Sequence, residues 1–224
     1  MTAKYIVIEG CDGVGKTTQT QKLVDYLKSQ GHKVLHTKEP GTPLSPLTME
    51  MRNLMLNAKY DNEMTQTARE LISQAIRSVH IEQVIVPALG QYDYIIQDRG
   101  ILSGLAYGTA CGNSPAFLFD LIDKVTKPLT KEFGLMEQIY DQVIYLTSED
   151  TSGKLAIAKG SKQEFEAGDA MELKGDKFML SVQNHMNEFS QSFNTVKIDV
   201  DKKSIEDVFD CIMSTLHLNK EYLL

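Results

Sequence analysis

Residues 5–17 read YIVIEGCDGVGKT: a four-residue apolar run closely followed by the octet Gly10-Cys-Asp-Gly-Val-Gly-Lys-Thr17. An apolar run that breaks into glycines predicts a buried strand turning sharply into a helix. Glycine permits backbone angles that turn several N–H groups toward one small space and lets the chain approach an anion closely. The N-terminus of the following helix adds its positive dipole end. Gly10-x-x-x-x-Gly15-Lys16-Thr17 is the P-loop pattern, in the strand-to-helix setting it requires. Its candidate nucleotide contacts are Gly10, Asp12, Gly13, Val14, Gly15, Lys16, Thr17 and the next residue, Thr18. Lys16 is expected on the β- and γ-phosphates of ATP, and the Thr17 hydroxyl on Mg²⁺.

Outward from the loop, apolar runs alternate with helical patterns. A helix is predicted over 17–29, stopped by Gly31, then a strand over 33–37 and a proline-rich loop over 39–46. Helices follow at 47–57 and 62–86, the second ended by Pro87. A third strand, 94–97, runs into Asp98-Arg99. Helical segments fill 101–139, with breaks at 112–115 and 127–128. Strands at 143–146 and 195–198 and a helix at 204–216 complete the chain. Strands separated by helices predict an α/β fold, a five-stranded parallel sheet covered on both faces. No boundary divides it, so residues 1–224 read as one domain. The polar stretch KGSKQEFEAGD, residues 159–169, reads either as a solvated connection or as part of a lid-like segment, about 150–172, closing over phosphates.

Asp98 stands at the carboxyl end of a predicted strand. Beside a P-loop, that is where a carboxylate holds Mg²⁺ or its waters, making Thr17 and Asp98 the candidate metal contacts. The formal charge of −7 argues against a broad nucleic-acid-binding face. Cys11, Cys111 and Cys211 show no zinc or CxxC spacing, which points to reduced thiols in the cytoplasm. No apolar run reaches the length of a membrane span.

With IEGCDGVGKTTQ, TKEPGTP, MRNLML, ELISQAIRSVH and IIQDRGILSGLAYG in this order and spacing, the chain resembles the thymidylate kinase family over nearly its full length. Asp169-Ala-Met-Glu172 resembles the family's Asp-Arg-x-Glu, with alanine in place of arginine. The resemblance implies P-loop nucleoside monophosphate kinase architecture, ATP as donor with Mg²⁺, a deoxynucleoside monophosphate as acceptor, and a homodimer. It implies that Asp12 contacts the acceptor's 3′-hydroxyl and that Arg52 holds the acceptor phosphate. It further implies that Arg99 lies at the phosphates in transfer, Arg77 reaches the base, and Tyr107 excludes a ribose 2′-hydroxyl. Lys16, Arg99 and Asp98 are then the catalytic candidates.

The chain departs from the family chiefly around the base. Ser73 stands where a stacking phenylalanine is usual, Gly104 where Ser or Asn meets the base edge, and Gly108 where Gln is common. These shorter side chains predict room for a bulkier base, a modified pyrimidine or a purine, with Gln74 as a new amide beside Ser73. Lysines replace the family's arginines: Lys38 in the second loop, and Lys154, Lys159 and Lys162 as lid candidates. The alternatives are a deoxynucleoside kinase, which would give Arg52 and Arg99 no anion to hold, and a nucleotide-hydrolysing switch without a small acceptor.

Overall fold

A computed structural model of the protein describes residues 2–150 and 169–218. Strand β1 (Lys4–Gly10) is buried from Tyr5 onward. An unbroken apolar run has this fate when a parallel sheet is covered on both sides. Four strands join it: β2 (Val34–Lys38), β3 (Tyr94–Asp98), β4 (Gln142–Thr147) and β5 (Thr195–Asp199). All pairs are parallel, in the order β2-β3-β1-β4-β5, so the five predicted strands are all present.

Alternating side chains of β1 feed two cores. Ile6 and Ile8, with Ile96 and Ile144, pack beneath α1 (Lys16–Ser29) and α7 (Ile205–Thr215). Tyr5 and Val7, with Ile95 and Val143, pack beneath α4 (Ile101–Ala110), α5 (Pro115–Phe133) and α6 (Asp176–Phe189). The chain thus leaves neighbouring strands β1 and β3 toward opposite faces of the sheet. A crevice opens at that divergence, beyond the carboxyl ends of the strands. Ile8 is in register with Asp98 there, which sets the glycine-rich loop beside Asp98-Arg99.

Two more helices wall the crevice: α2 (Pro46–Leu56), which takes Pro46 as its first residue, and α3 (Gln66–His80). The Thr65 side chain caps α3 by accepting from the Ala68 N–H. Pro87 does not end this helix as expected. After His80 a π turn, Ile81–Ile85, leads into a last turn, Val86–Ala88, with Pro87 inside it. There the proline falls next to the π turn, where the regular i→i−4 ladder is already interrupted. Pro128 likewise lies inside α5 and does not break it. Leu118, Ile122 and Leu129 are at most 1% exposed, and their burial outweighs a penalty of about 3 kcal/mol.

Candidate active site

Gly10 has φ 147°, and a Cβ there would lie 2.5 Å from the Leu146 carbonyl oxygen, so only glycine lets the loop leave β1 so close to β4. Gly15, at φ 91°, starts α1 in the left-handed region. Lys16 is buried, and its Nζ donates to the Cys11 carbonyl at 2.7 Å and stands 3.7 Å from Asp12. Burial and the neighbouring Arg99 pull its pKa down, against Asp12 and Asp98. Asp12, Gly13, Gly15, Lys16, Thr17 and Thr18 face the crevice. Val14 instead packs into the core under α1.

The Thr17 hydroxyl donates to Asp98 Oδ2 at 2.7 Å, while Asp98 Oδ1 is buried with no hydrogen-bond partner. Arg99 adopts φ 64°, an unusual angle for a bulky residue, and its N–H donates to the Ile8 carbonyl. Glu9, absent from the sequence-derived candidates, holds this turn. Fully buried, it accepts from the Gly100 N–H at 2.8 Å, the Ser103 N–H at 3.1 Å and the Ser103 hydroxyl. An acid next to the apolar run of β1 was its only signal. Arg99 Nη1 then donates to the Gly10 carbonyl at 3.1 Å and to Ser103 at 3.2 Å, and Nη2 pairs with Asp12. The guanidinium also lies over the Tyr107 ring, 5.4 Å from its centroid.

The crevice continues into a cavity of about 460 Å³. Lys38, Arg52, Ser73, Arg77, Gly104, Tyr107 and Gly108 all line it, together with Asp12 and Arg99. Lys38 and Gly108, 70 positions apart, are thus brought to one space by β2, α2, α3 and α4. Arg52 Nη1 donates to the Pro40 carbonyl at 3.1 Å, and its stem packs over Gly41. Arg77 is buried between Glu39, which it meets through Nε at 3.0 Å, and Gln74, which accepts from Nη1 at 2.9 Å. Glu39 also meets His80 Nδ1 at 3.2 Å. Burial works to raise the Glu39 pKa, but Arg77 and His80 outweigh it and hold the carboxylate below its ordinary range.

The family model described as Thymidylate kinase matches residues 8–212. The thymidylate kinase of Finegoldia magna is 31% identical over 93% of this chain and 95% of its own length. The chain belongs to the thymidylate kinase family. The thymidylate kinase of Prochlorococcus marinus is 40% identical, over 48% of this chain and 52% of the relative. A crystal structure of thymidylate kinase from Ehrlichia chaffeensis superposes with a TM-score of 0.70 over 96% of this chain and 100% of that one. At 22% identity that likeness is one of fold.

Of the three short residues that depart from the thymidylate kinase pattern, two do not open empty space. A Cβ on Gly104 would lie 2.6 Å from Arg77 Nη2, and one on Gly108 would lie 2.8 Å from Glu70 Oε2 and 2.9 Å from a Leu118 methyl. The protein's own side chains fill the room that a longer residue would occupy, so the expectation of a pocket enlarged at 104 and 108 is corrected. Ser73 alone remains as a shortened wall. Ala170, standing where the family carries arginine, is 1% exposed and packs with Met55, Leu56 and Ile76 in a small core. The lid candidates Lys154, Lys159 and Lys162 lie outside the described residues. Also lining the cavity, and not foreseen, are Glu70, Arg69 and Asn113.

Proposed function

We propose that this thymidylate kinase family member transfers the γ-phosphoryl group of ATP to the 5′-phosphate of a deoxynucleoside monophosphate, dTMP in the first place, giving ADP and dTDP. The observation that carries the reading is the junction of a P-loop with an arginine-lined cavity at Arg99, which meets both Gly10 and Asp12 of the loop. One side of that junction suits a triphosphate, the other a monophosphate.

Phosphoryl transfer asks a protein mainly for positioning and charge stabilisation. Lys16 and the loop N–H groups hold the donor phosphates. Arg52 holds the acceptor phosphate, and Arg99, tied to Gly10, Asp12 and Ser103, lies between the two halves. A planar guanidinium contacts two oxygens at once, which suits a group whose charge is spread over several. The acceptor phosphate is ionised at neutral pH, so no strong general base is needed. Tyr107 stands by Arg99 and limits the space beside the acceptor sugar.

The residues present fit Mg²⁺. Thr17 supplies a hydroxyl, and Asp98 supplies a buried oxygen that lacks a partner. Few protein ligands are required, because Mg²⁺ keeps waters and takes phosphate oxygens. When bound it neutralises charge on the donor phosphates. On the family's ground we further propose one kinase domain, working in the cytoplasm as a homodimer. No helix among the described residues is long and apolar enough to cross a membrane. The test is an assay of ADP release with Mg-ATP and each of dTMP, dGMP, dCMP, dAMP, thymidine and no acceptor. Acceptor-dependent release with a diphosphate product supports the reading. Release indifferent to acceptor marks a hydrolase, and release with thymidine alone marks a nucleoside kinase.

A further inference from the structure

The base end of the cavity holds a carboxyl group that phosphoryl transfer does not use. Glu70, on α3, is 5% exposed and lines the cavity. Its Oε1 accepts from Gln74 Nε2 at 2.6 Å, and Oε2 has no hydrogen-bond partner among the described residues. Gly108 leaves room for Oε2, and one helical turn earlier Gly104 leaves room for Arg77 Nη2. Gln74 ties the two groups together, accepting from Arg77 through Oε1 and donating to Glu70 through Nε2. Its amide is thereby locked in one orientation. Arg77 retains N–H groups beyond those taken by Glu39, Gln74 and the Gly100 carbonyl. The wall therefore presents a donor opposite Gly104 and an acceptor opposite Gly108, on the same side of α4.

We propose that Glu70 is a specificity-determining residue of the acceptor site, accepting a ring N–H from the base while Arg77 donates to the adjacent ring carbonyl. This rests on the kinase reading above and narrows its substrate class. Thymine, uracil derivatives and guanine carry that carbonyl beside an N–H. Cytosine and adenine carry an amino group beside a bare ring nitrogen. Against this wall they set N–H against N–H and a lone pair against a carboxyl oxygen. A mismatch of this kind discriminates strongly, because the site's own buried groups are left unpaired. Burial pushes the Glu70 pKa up, opposed by Gln74 and Arg77, so the assays are run as a pH series.

The experiment measures kcat/KM with dTMP, dGMP, dCMP, dAMP and N3-methyl-dTMP, for the wild type and Glu70→Gln. Methylation at N3 removes the ring N–H and leaves the carbonyls, and we expect it to cost the wild type about 10- to 100-fold. In Glu70→Gln, Gln74 still needs an acceptor, so the new amide turns its oxygen to Gln74 and its NH₂ to the base. The KM for dTMP then rises by a similar factor, the dCMP-to-dTMP ratio rises, and the KM for ATP holds. N3-methyl-dTMP accepted by the wild type within about threefold of dTMP overturns the assignment, whatever the variant's fold. So does a wild type that takes dCMP and dAMP as readily as dTMP, with the kinase reading left standing. A wild type that phosphorylates none of the five overturns both.

Discussion

Thr17 and Asp98, 81 residues apart in sequence, meet through a 2.7 Å hydrogen bond that leaves the second Asp98 oxygen buried and unpartnered. A buried carboxylate oxygen without a donor costs about 1–3 kcal/mol or more unless a cation or water serves it. On the proposed function, this pair is where Mg²⁺ would be held. Asp98→Asn keeps the shape and removes the charge. We expect transfer to fall about 10²–10³-fold and the Mg²⁺ concentration giving half-maximal rate to rise. An unchanged Mg²⁺ titration would count against the site.

Lys16 is held in place by the Cys11 carbonyl, so its removal takes away charge without undoing packing. Lys16→Ala should lower kcat by at least about 10²-fold while the thermal midpoint stays within a few degrees. Turnover at the wild-type rate would refute the loop's part in transfer.

Arg99 is bound through both terminal nitrogens, to Gly10 and Ser103 on one side and to Asp12 on the other. Lysine retains the charge and loses the fork. Arg99→Lys should reduce kcat about 10- to 100-fold, with a smaller effect on the KM for ATP. A raised KM for ATP with kcat unchanged would assign Arg99 to ground-state binding of the donor instead.

Glu39 and Arg77 form a buried ion pair, with side-chain exposures of 6% and 4%. Glu39→Gln leaves a buried guanidinium without its countercharge, and we expect a loss of about 3–5 kcal/mol in urea unfolding at neutral pH. The pH dependence has a definite sign. The folded pKa of Glu39 lies below its ordinary value. Its contribution is thus fully present above the ordinary carboxylate range and is lost as pH falls through the folded value. The stability gap between wild type and variant should narrow toward acid pH. A constant gap would show that charge is not its source.

Gly108 faces Glu70 and Leu118 with no space for a methyl group. Gly108→Ala should destabilise by about 1–3 kcal/mol through overpacking, against the usual gain from replacing a helical glycine. A stabilised variant would mean that α4 and α5 move apart freely.

Much of this was readable along the chain. The strand-to-glycine transition at 5–15, the five apolar runs and the acid at the end of the third strand are local signals of period and composition. Ser204, which forms a capping box with Asp207, stands where the last helix was expected to start. The prolines misled because a local penalty is visible in sequence and the burial that outweighs it is not. Glu9 and Glu70 went unnoticed for a related reason: an acid reads as polar wherever it stands, and only its neighbours decide whether it is buried and what it holds.

By itself, then, the sequence determined the parallel α/β sheet, the phosphate loop and the membership of Asp12, Arg52, Arg77, Arg99 and Tyr107 in one family pattern, since each rests on residue type and spacing. The tertiary structure decided what stands against what. Gly104 and Gly108 looked like lost side chains, and their space proves to belong to Arg77 and Glu70. A missing Cβ can be counted in a sequence, but whether it leaves a void depends on which side chains α3 turns toward α4, and that is set by packing between helices.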